Sequence, residues 1–438
     1  MRISVFGLGY VGTVSAVCLA DRGHHVVGID TNPVKVQMLE SGVAPIIEPD
    51  VDNLMRRGLK SGRLRATTST QKAVETSDIS ILCVGTPSAR NGSVDLTAIG
   101  SVCEEIGAAL AASGKEKHAV VVRSTVLPGT FREVVIPALE RSSRRKIGAG
   151  ITVAHNPEFL REGNAVADFL GPQKTVIGAD DGPTAAVVAD IYIDLPGVVI
   201  KTTPEIAEII KYVDNPWHAL KVAFANEVGN VCQALGIDSH EVMEVFFQDR
   251  KLNLSQSYLK PGFAFGGSCL PKDLRAVCAL GQRLNLQLPV LQAISQSNNM
   301  QIERGVDWVL SFNKRKIGVL GCSFKAGTDD LRESPFVVLV ERLIGKGCSI
   351  RIFDANLRLS MLMGANRDYL FATIPHIASM LVESPDEATA GAEVVLLTTD
   401  HHEYHRTLEK LDNNQDLLDF TRIKTASYGA ARYHGVNW

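Results

Sequence analysis

Apolar residues recur along the chain in two rhythms, and their alternation predicts the elements. Short β-branched runs at Ile3–Phe6, His25–Ile29, Ile79–Val84, Ala119–Arg123, Ile151–Ala154 and Thr175–Ile177 have the length of strands, and helix-length segments separate most of them. Apolar strands alternating with helices belong to a parallel sheet covered on both faces. Near Thr203 the rhythm changes. Thr203 suits a helix N-cap, Pro204 the first helical position and Glu205 the positive end of the helix dipole. Beyond them Ile206, Ile209, Ile210, Val213, Trp217, Leu220, Phe224, Val228 and Val231 fall on one stripe at helical spacing. The stripe predicts a helix of about thirty residues, roughly 45 Å long, able to act as a spine between domains and as a dimer contact. Strand-like runs resume at Lys316–Leu320, Ser349–Phe353, Val394–Leu397 and Leu417–Phe420, with a helix at Pro335–Gly345.

The fold class read from this pattern is α/β: two Rossmann-like, doubly wound domains joined by a central helical region with a long spine helix. The boundaries fall at residues 1–200, 201–300 and 301–438. The outer domains share a rhythm, but no repeat between them can be aligned.

Composition narrows the class. The chain has 438 residues, a formal net charge of -3 and 45% hydrophobic residues, which together suit a globular protein and give no electrostatic case for nucleic acid. Its longest apolar runs, such as Val394–Leu397, are strand-sized, so no membrane span is expected. A strand pattern begins at Ile3, so no signal segment is expected before the fold. Eight cysteines are scattered singly without a Cys-x-x-Cys pair, which argues against a zinc site or disulfide framework and for a cytoplasmic location. His401, His402 and His405 cluster locally, but no neighbouring cysteine or suitably spaced acid completes a metal set.

The chemistry starts at Gly7-Leu8-Gly9-Tyr10-Val11-Gly12, directly after the first strand and opening a helix. Gly7 permits the tight turn, Gly9 lets backbone approach a pyrophosphate, and Gly12 lets helix pack on strand. Asp30 ends the second strand at the distance expected of a carboxylate that binds a ribose diol and repels a 2′-phosphate; no arginine follows it, so NAD is favoured over NADP. Two later turns, Gly85-Thr86-Pro87 and Ser124-Thr125-Val126-Leu127-Pro128-Gly129, follow strands at the ligand-binding edge of such a sheet.

Cys269 stands apart from the other cysteines, in Phe265-Gly266-Gly267-Ser268-Cys269-Leu270-Pro271-Lys272-Asp273. The glycines allow a substrate near the backbone, a helix N-terminus and Lys272 would favour the thiolate, and Asp273 lies one turn on, placed to act on water. The same residue type is commonly a small inert core residue, and the pattern leaves both readings open. Lys211, Asn215 and His218 follow one another at helical spacing opposite the apolar stripe. As sequence they read more naturally as a solvated polar face than as groups aimed at an oxyanion.

Taken together, these segments resemble the UDP-glucose/GDP-mannose dehydrogenase family over nearly the whole chain. The resemblance adds Asn156-Pro157-Glu158-Phe159-Leu160-Arg161-Glu162-Gly163 and the run from Phe324 through Lys325, Gly327, Asp330 and Arg332 to Pro335. Variants at Leu252–Ser255, Pro261–Phe265 and Ser323–Gly327 resemble the branch that makes GDP-mannuronate for alginate-type polysaccharide; UDP-glucose and UDP-N-acetylhexosamine are the alternative substrates. The resemblance implies a four-electron, NAD-dependent oxidation at C6 of a nucleotide sugar through a thiohemiacetal and a thioester on Cys269. It implies that Lys211 and Asn215 stabilise oxyanions, that Asp273 and Thr125 position water, and that Glu162 and Glu158 are the nearby acids. Gly7, Gly9, Tyr10, Val11, Gly12, Asp30, Lys35, Thr86, Thr125, Lys272 and Arg332 would contact NAD. Glu162, Lys211, Asn215, His218, Asn226, Tyr258, Lys260, Phe263, Gly266 and Lys325 would line the nucleotide-sugar site. A homodimer or dimer of dimers through the central helix is expected.

Three departures from the family pattern stand out. Pro216 follows Asn215 and predicts a kink there. Ser257 and Lys260 replace a tyrosine and an arginine of the GDP-mannose branch, and a lysine lacks the bidentate fork. Two competing functions remain: a single-step dehydrogenase of the β-hydroxyacid type, which gives Cys269 no role, and a catalytically silent NAD-binding regulatory protein.

Overall fold

The computed structural model describes all residues except 251–259, 284, 286–287, 326, 329, 358–363, 376, 424–426 and 438. The sequence variants at 252–255, Ser257, Tyr258, Ala326 and Asp329 therefore lie outside the described residues. The chain forms two compact units, Met1–Asp214 and Asn215–Trp438, and the division falls inside the spine helix Pro204–Leu235.

The first unit is built on eight strands: β1 (Arg2–Phe6), β2 (His25–Ile29), β3 (Leu64–Thr67), β4 (Ile79–Leu82), β5 (His118–Val122), β6 (Ile151–His155), β7 (Lys174–Ala179) and β8 (Val198–Thr202). They lie in the order β3-β2-β1-β4-β5-β6-β7-β8. Sequence order reverses between β1 and β4, and such a switch point leaves a crevice at the strand C-termini. Strands β4 and β5 are buried along their whole length, as apolar runs covered on both faces must be. The sheet is parallel except that β7 runs antiparallel to β6 and carries β8 with it.

Two of these strands have no clear sequence signal. β3 buries only Leu64, and β8 is an edge strand with Val198, Val199 and Ile200 exposed, so neither needs the apolar pattern of a central strand.

The second unit holds a parallel sheet, β10-β9-β11-β12-β13, from β9 (Lys316–Leu320), β10 (Ser349–Phe353), β11 (Val394–Leu397), β12 (Asp416–Asp419) and β13 (Arg432–Gly435). The polar edge strand β13 is likewise invisible to a search for apolar runs. Residues read from sequence as a separate helical middle share a core with this sheet. Phe263 stacks on Phe336 with centroids 5.2 Å apart and meets Phe420 edge-on at 4.9 Å, and Ala264 joins the same cluster.

The spine helix reverses the expected amphipathic reading. Part of its apolar stripe is open: Ile206, Val213, Trp217 and Phe224 are 52, 53, 46 and 46% exposed and Ile209, Ile210, Leu220 and Val228 are half-buried, whereas Lys211 and Asn215 are 5 and 6% exposed. The small residues Ala207, Ala219 and Ala223 share the buried side, which is why hydrophobicity alone misplaced the face. The helix continues through Pro216.

Candidate active site

The glycine turn has the geometry its sequence requires. Gly7 has φ +93°, and a Cβ there would sit 2.9 Å from the Cys83 carbonyl oxygen. A Cβ on Gly12 would lie 1.7 Å from the Gly7 oxygen, so helix and strand meet backbone to backbone. Gly9 caps the helix Tyr10–Asp21 and has nothing within 4 Å of its Cβ position, leaving the helix N-terminus open to a phosphate. Asp30 accepts the Leu8 N–H at 2.8 Å and the Asn32 N–H at 2.9 Å, and Lys35 Nζ stands 3.4 Å away. One carboxylate thus braces the turn and keeps acceptor capacity for a ribose diol. These residues fit a dinucleotide.

Around the same edge, the Thr86 hydroxyl donates to the Thr125 carbonyl at 2.9 Å, and the Ser124 hydroxyl donates to the Val84 carbonyl at 2.7 Å, tying two strand-end loops together. Glu158 and Lys211 form an ion pair of 2.9 Å, and the second Glu158 oxygen accepts the Leu160 N–H at 2.5 Å. The Lys211 ammonium also stands 5.7 Å from the Phe159 ring centroid. Lys211 is therefore a buried, braced cation. The Tyr10 hydroxyl bonds Glu48, which accepts Gly163 N–H at 2.6 Å and Ala165 N–H at 2.7 Å. Glu162 directly precedes this clasp.

In the second unit Cys269 immediately precedes the helix Leu270–Arg283, and its carbonyl accepts the Asp273 N–H at 2.9 Å, the first helical bond. Its half-buried sulfur sits at the positive end of the helix dipole, which favours thiolate. Asp273 is buried; Asn215 Nδ2 donates to one oxygen, and Lys272 Nζ lies 3.0 Å from the other. Asn215, Lys272 and Asp273 thus form one cluster within a turn of the sulfur's helix. Arg332 is held by Asp330 through two bonds of 2.8 and 2.7 Å.

The expected sugar-site residues divide by setting. Asn226 donates to the Phe263 carbonyl and accepts from Gly262 N–H, both at 2.9 Å, so its amide holds the 262–263 backbone. Phe263 places its ring in the core. A Cβ on Gly266 would come 2.4 Å from the Glu333 oxygen, and one on Gly267 (φ +85°) 2.8 Å from the Phe324 ring. These glycines are explained by the 324–335 loop closing on them, beyond any substrate approach. Lys260 is exposed, and Lys325 and His218 are half-buried.

Comparison with known proteins identifies the family. Models of the UDP-glucose/GDP-mannose dehydrogenase family match in sequence, the NAD binding domain over residues 1–195, the central domain over 205–300 and the UDP binding domain over 318–424. The chain belongs to this family. It is 48% identical to a GDP-mannose 6-dehydrogenase of Pseudomonas aeruginosa, covering all of both chains. Among solved structures, a UDP-glucose dehydrogenase from Pyrobaculum islandicum is similar with a TM-score of 0.88 at 35% identity, covering 100% of this chain and 97% of that one. A ternary complex of GDP-mannose dehydrogenase from Pseudomonas aeruginosa is 47% identical with full coverage of both chains and a TM-score of 0.58. The protein is thus an NAD-dependent nucleotide-sugar dehydrogenase of the α/β, two-Rossmann architecture.

Seen as a UDP-glucose/GDP-mannose dehydrogenase, the chain has supporting residues that sequence reading missed. Asn298 bonds both the N–H and the carbonyl of Phe265, at 2.8 and 2.9 Å, as a strand neighbour would, and Gln301 donates to the Gly262 carbonyl at 2.8 Å. Arg275 grips Glu333, whose φ is +52°, through two bonds of 2.6 Å. Their partners lie tens of residues away, and no local motif signals them. Among the described residues the one cluster with metal-like spacing is His401, His402 and Glu403, on the surface; His401 Nδ1 accepts the Glu403 N–H as a helix cap, and His405 pairs instead with Asp400. No described helix is long and apolar enough to cross a membrane.

Proposed function

We propose that the protein is a GDP-mannose 6-dehydrogenase that converts GDP-mannose to GDP-mannuronate for alginate-type polysaccharide, with Cys269 as covalent nucleophile. The observation that carries the chemistry is the placing of Cys269 at the head of a helix whose first turn holds a buried Asp273, itself held by Asn215 and Lys272. Full-length identity of 48% to a GDP-mannose enzyme supports the choice of sugar.

Bound NAD supplies a hydride acceptor for each of two successive oxidations at C6. The thiolate of Cys269 adds to the C6 aldehyde, forming a C–S bond while the carbonyl oxygen becomes a hydroxyl; loss of hydride and proton leaves a thioester. Water then breaks the C–S bond, giving the carboxylate and returning the thiolate. Sulfur suits both halves, because its hemiacetal can lose hydride and its ester hydrolyses readily. Lys211 and Asn215 stabilise oxyanions, Asp273 with Thr125 positions water, and Glu162 and Glu158 are the nearby acids. NAD contacts come from the Gly7–Gly12 turn, Asp30, Lys35, Thr86, Thr125, Lys272 and Arg332. The sugar contacts are Glu162, Lys211, Asn215, His218, Asn226, Tyr258, Lys260, Phe263, Gly266 and Lys325. The exposed apolar residues Ile206, Val213, Trp217 and Phe224 on the spine helix support assembly of like chains through that helix, and cysteines scattered singly without a Cys-x-x-Cys pair support a cytoplasmic setting.

The test is NADH released per sugar over a panel of nucleotide sugars, with trapping and mass analysis under turnover. Two equivalents with GDP-mannose and a sugar adduct on Cys269 are expected, and Cys269→Ser should abolish acid formation while keeping NAD binding. One equivalent would point to a single-step dehydrogenase, turnover confined to UDP sugars to the alternative substrates, and NAD binding without turnover to a regulatory protein.

A further inference from the structure

No sequence motif draws attention to Glu208. It is buried on the spine helix, one turn before Lys211. Its Oε2 accepts the Gly129 N–H at 2.9 Å and its Oε1 the Phe131 N–H at 2.7 Å. Both donors belong to the loop after β5, which carries Thr125. Within that loop Gly129 has φ +99°, and Thr130 folds back on the Leu127 carbonyl through its N–H at 3.1 Å and its hydroxyl at 2.7 Å. The loop ends in a π-helical turn, Phe131–Val135, a winding that is rare and concentrated at functional places. One buried acid is the fixed point of this irregular backbone.

We propose that Glu208 is a positioning residue for the oxidation, its two carboxylate oxygens together fixing the Thr125–Phe131 loop against the helix that carries Lys211. The inference rests on the reading of Lys211 and Thr125 as working groups. An ionised carboxylate accepts both N–H groups; a protonated one turns an O–H donor toward one of them and loses that bond. The latch therefore opens with a proton. Burial pushes the Glu208 carboxyl up to about 7, against the two N–H bonds that favour its charged form; Glu205 adds to the rise and Arg132 opposes it. The other charges around it are Lys211 on its own helix, Glu133 beside Gly129, and Asp180, which holds Arg132. Opening thus falls near pH 7.

The test uses the full-length enzyme with NAD and GDP-mannose. Glu208→Gln keeps the side chain's shape but accepts only one N–H at any pH. Its kcat should fall tenfold or more with both KM values within about twofold, and the acid limb of the kcat profile should vanish. Wild-type kcat with an unchanged acid limb would overturn the proposal, as would a lowered Tm with kcat per folded molecule intact, because a merely structural acid predicts that. Should Glu208→Gln fail to fold, Glu205→Gln decides the matter: removing this surface carboxylate should move the acid limb to lower pH, and an unmoved limb refutes the latch. Lys211→Met separates the two readings. Full activity there defeats the catalytic helix itself, whereas an inactive Lys211→Met beside a fully active Glu208→Gln defeats the latch alone.

Discussion

Replacing Glu158 with glutamine tests the buried cation at the centre of the first unit. Glu158 and Lys211 are 2.9 Å apart, with side chains 7 and 6% exposed. At an effective dielectric of about 20, that separation corresponds to roughly 6 kcal/mol of attraction, largely offset by the desolvation of both groups. Removing one partner leaves the desolvation cost standing, so the net loss is about 3 kcal/mol. Glutamine keeps the volume and an acceptor for the Leu160 N–H, so lost charge dominates the effect. For a unit of 214 residues, 3 kcal/mol lowers the melting point by roughly 6–12 °C. Calorimetry is the assay, because it separates the transitions of two units. Adding Lys211→Met should restore most of the loss. A variant melting within about 2 °C of wild type at pH 7, or a double variant no better than the single, would refute the buried pair.

Three further outcomes are expected. Asp30→Asn should weaken NAD binding about tenfold, roughly 1.4 kcal/mol, because one of the oxygens that brace Leu8 and Asn32 is lost along with the ribose acceptor; unchanged affinity by titration calorimetry contradicts this. Gly267→Ala should destabilise the second unit by about 3 kcal/mol, from a left-handed backbone and a Cβ driven into Phe324; an unshifted melting transition contradicts it. His155 is buried with no hydrogen-bond partner for either ring nitrogen among the described residues, and burial pushes it down to about 3. Its folded value lies below the unfolded 6.5, so the stability it allows is complete above pH 6.5 and is lost as pH falls, by up to about 1.4 kcal/mol per unit. His155→Leu should flatten that acid slope in calorimetric scans, and an unaltered slope contradicts the assignment.

Features written in local sequence were legible, and features made by distant contacts were not. The Gly7–Gly12 turn could be read because positive φ and helix–strand contact demand glycine at fixed spacing, and Asp30 because it ends the next strand. The second sheet repeats that device, which sequence comparison within the chain could not align. Gly321 (φ +99°) donates its N–H to the Phe353 carbonyl at 2.8 Å as Gly7 does to Ile29 at 2.7 Å. Asp354 accepts Cys322 N–H at 2.6 Å and Asn356 N–H at 2.9 Å, as Asp30 accepts Leu8 and Asn32. In sequence the copies share this glycine, the aspartate, the asparagine two residues after it (Asn32 and Asn356), and an Ile and a Val at matching positions of the strand before the glycine (Ile3 and Ile317, Val5 and Val319). The spine helix misled for a different reason. Periodicity locates a stripe, but an open apolar stripe looks like a core-facing one until the remaining faces are seen. Glu48 and Glu208 were invisible because their backbone partners lie 115 and 77 residues away along the chain.

The missed acids and the recognised ones follow one rule. Each buried carboxylate is met by donors already fixed in place: Glu208 by Gly129 and Phe131, Glu48 by Gly163 and Ala165, Glu158 by Leu160 and Lys211, Asp273 by Asn215. Fixed donors need no reorganisation when negative charge appears beside them, and this property lets a site stabilise an oxyanion as it forms. Holding such charges inside is expensive, as the raised Glu208 carboxyl records. In the first unit, apolar strands such as β4 and β5, buried along their whole length, supply the stability that lets the fold tolerate the cost. If stability and reactivity are opposed in this way, protonation of Glu208 should make the wild-type first unit more stable as pH falls from about 7 towards 4.5, while turnover falls, and Glu208→Gln should remove that slope. A variant that lost both together, at every pH, would break the link between buried charge and catalysis.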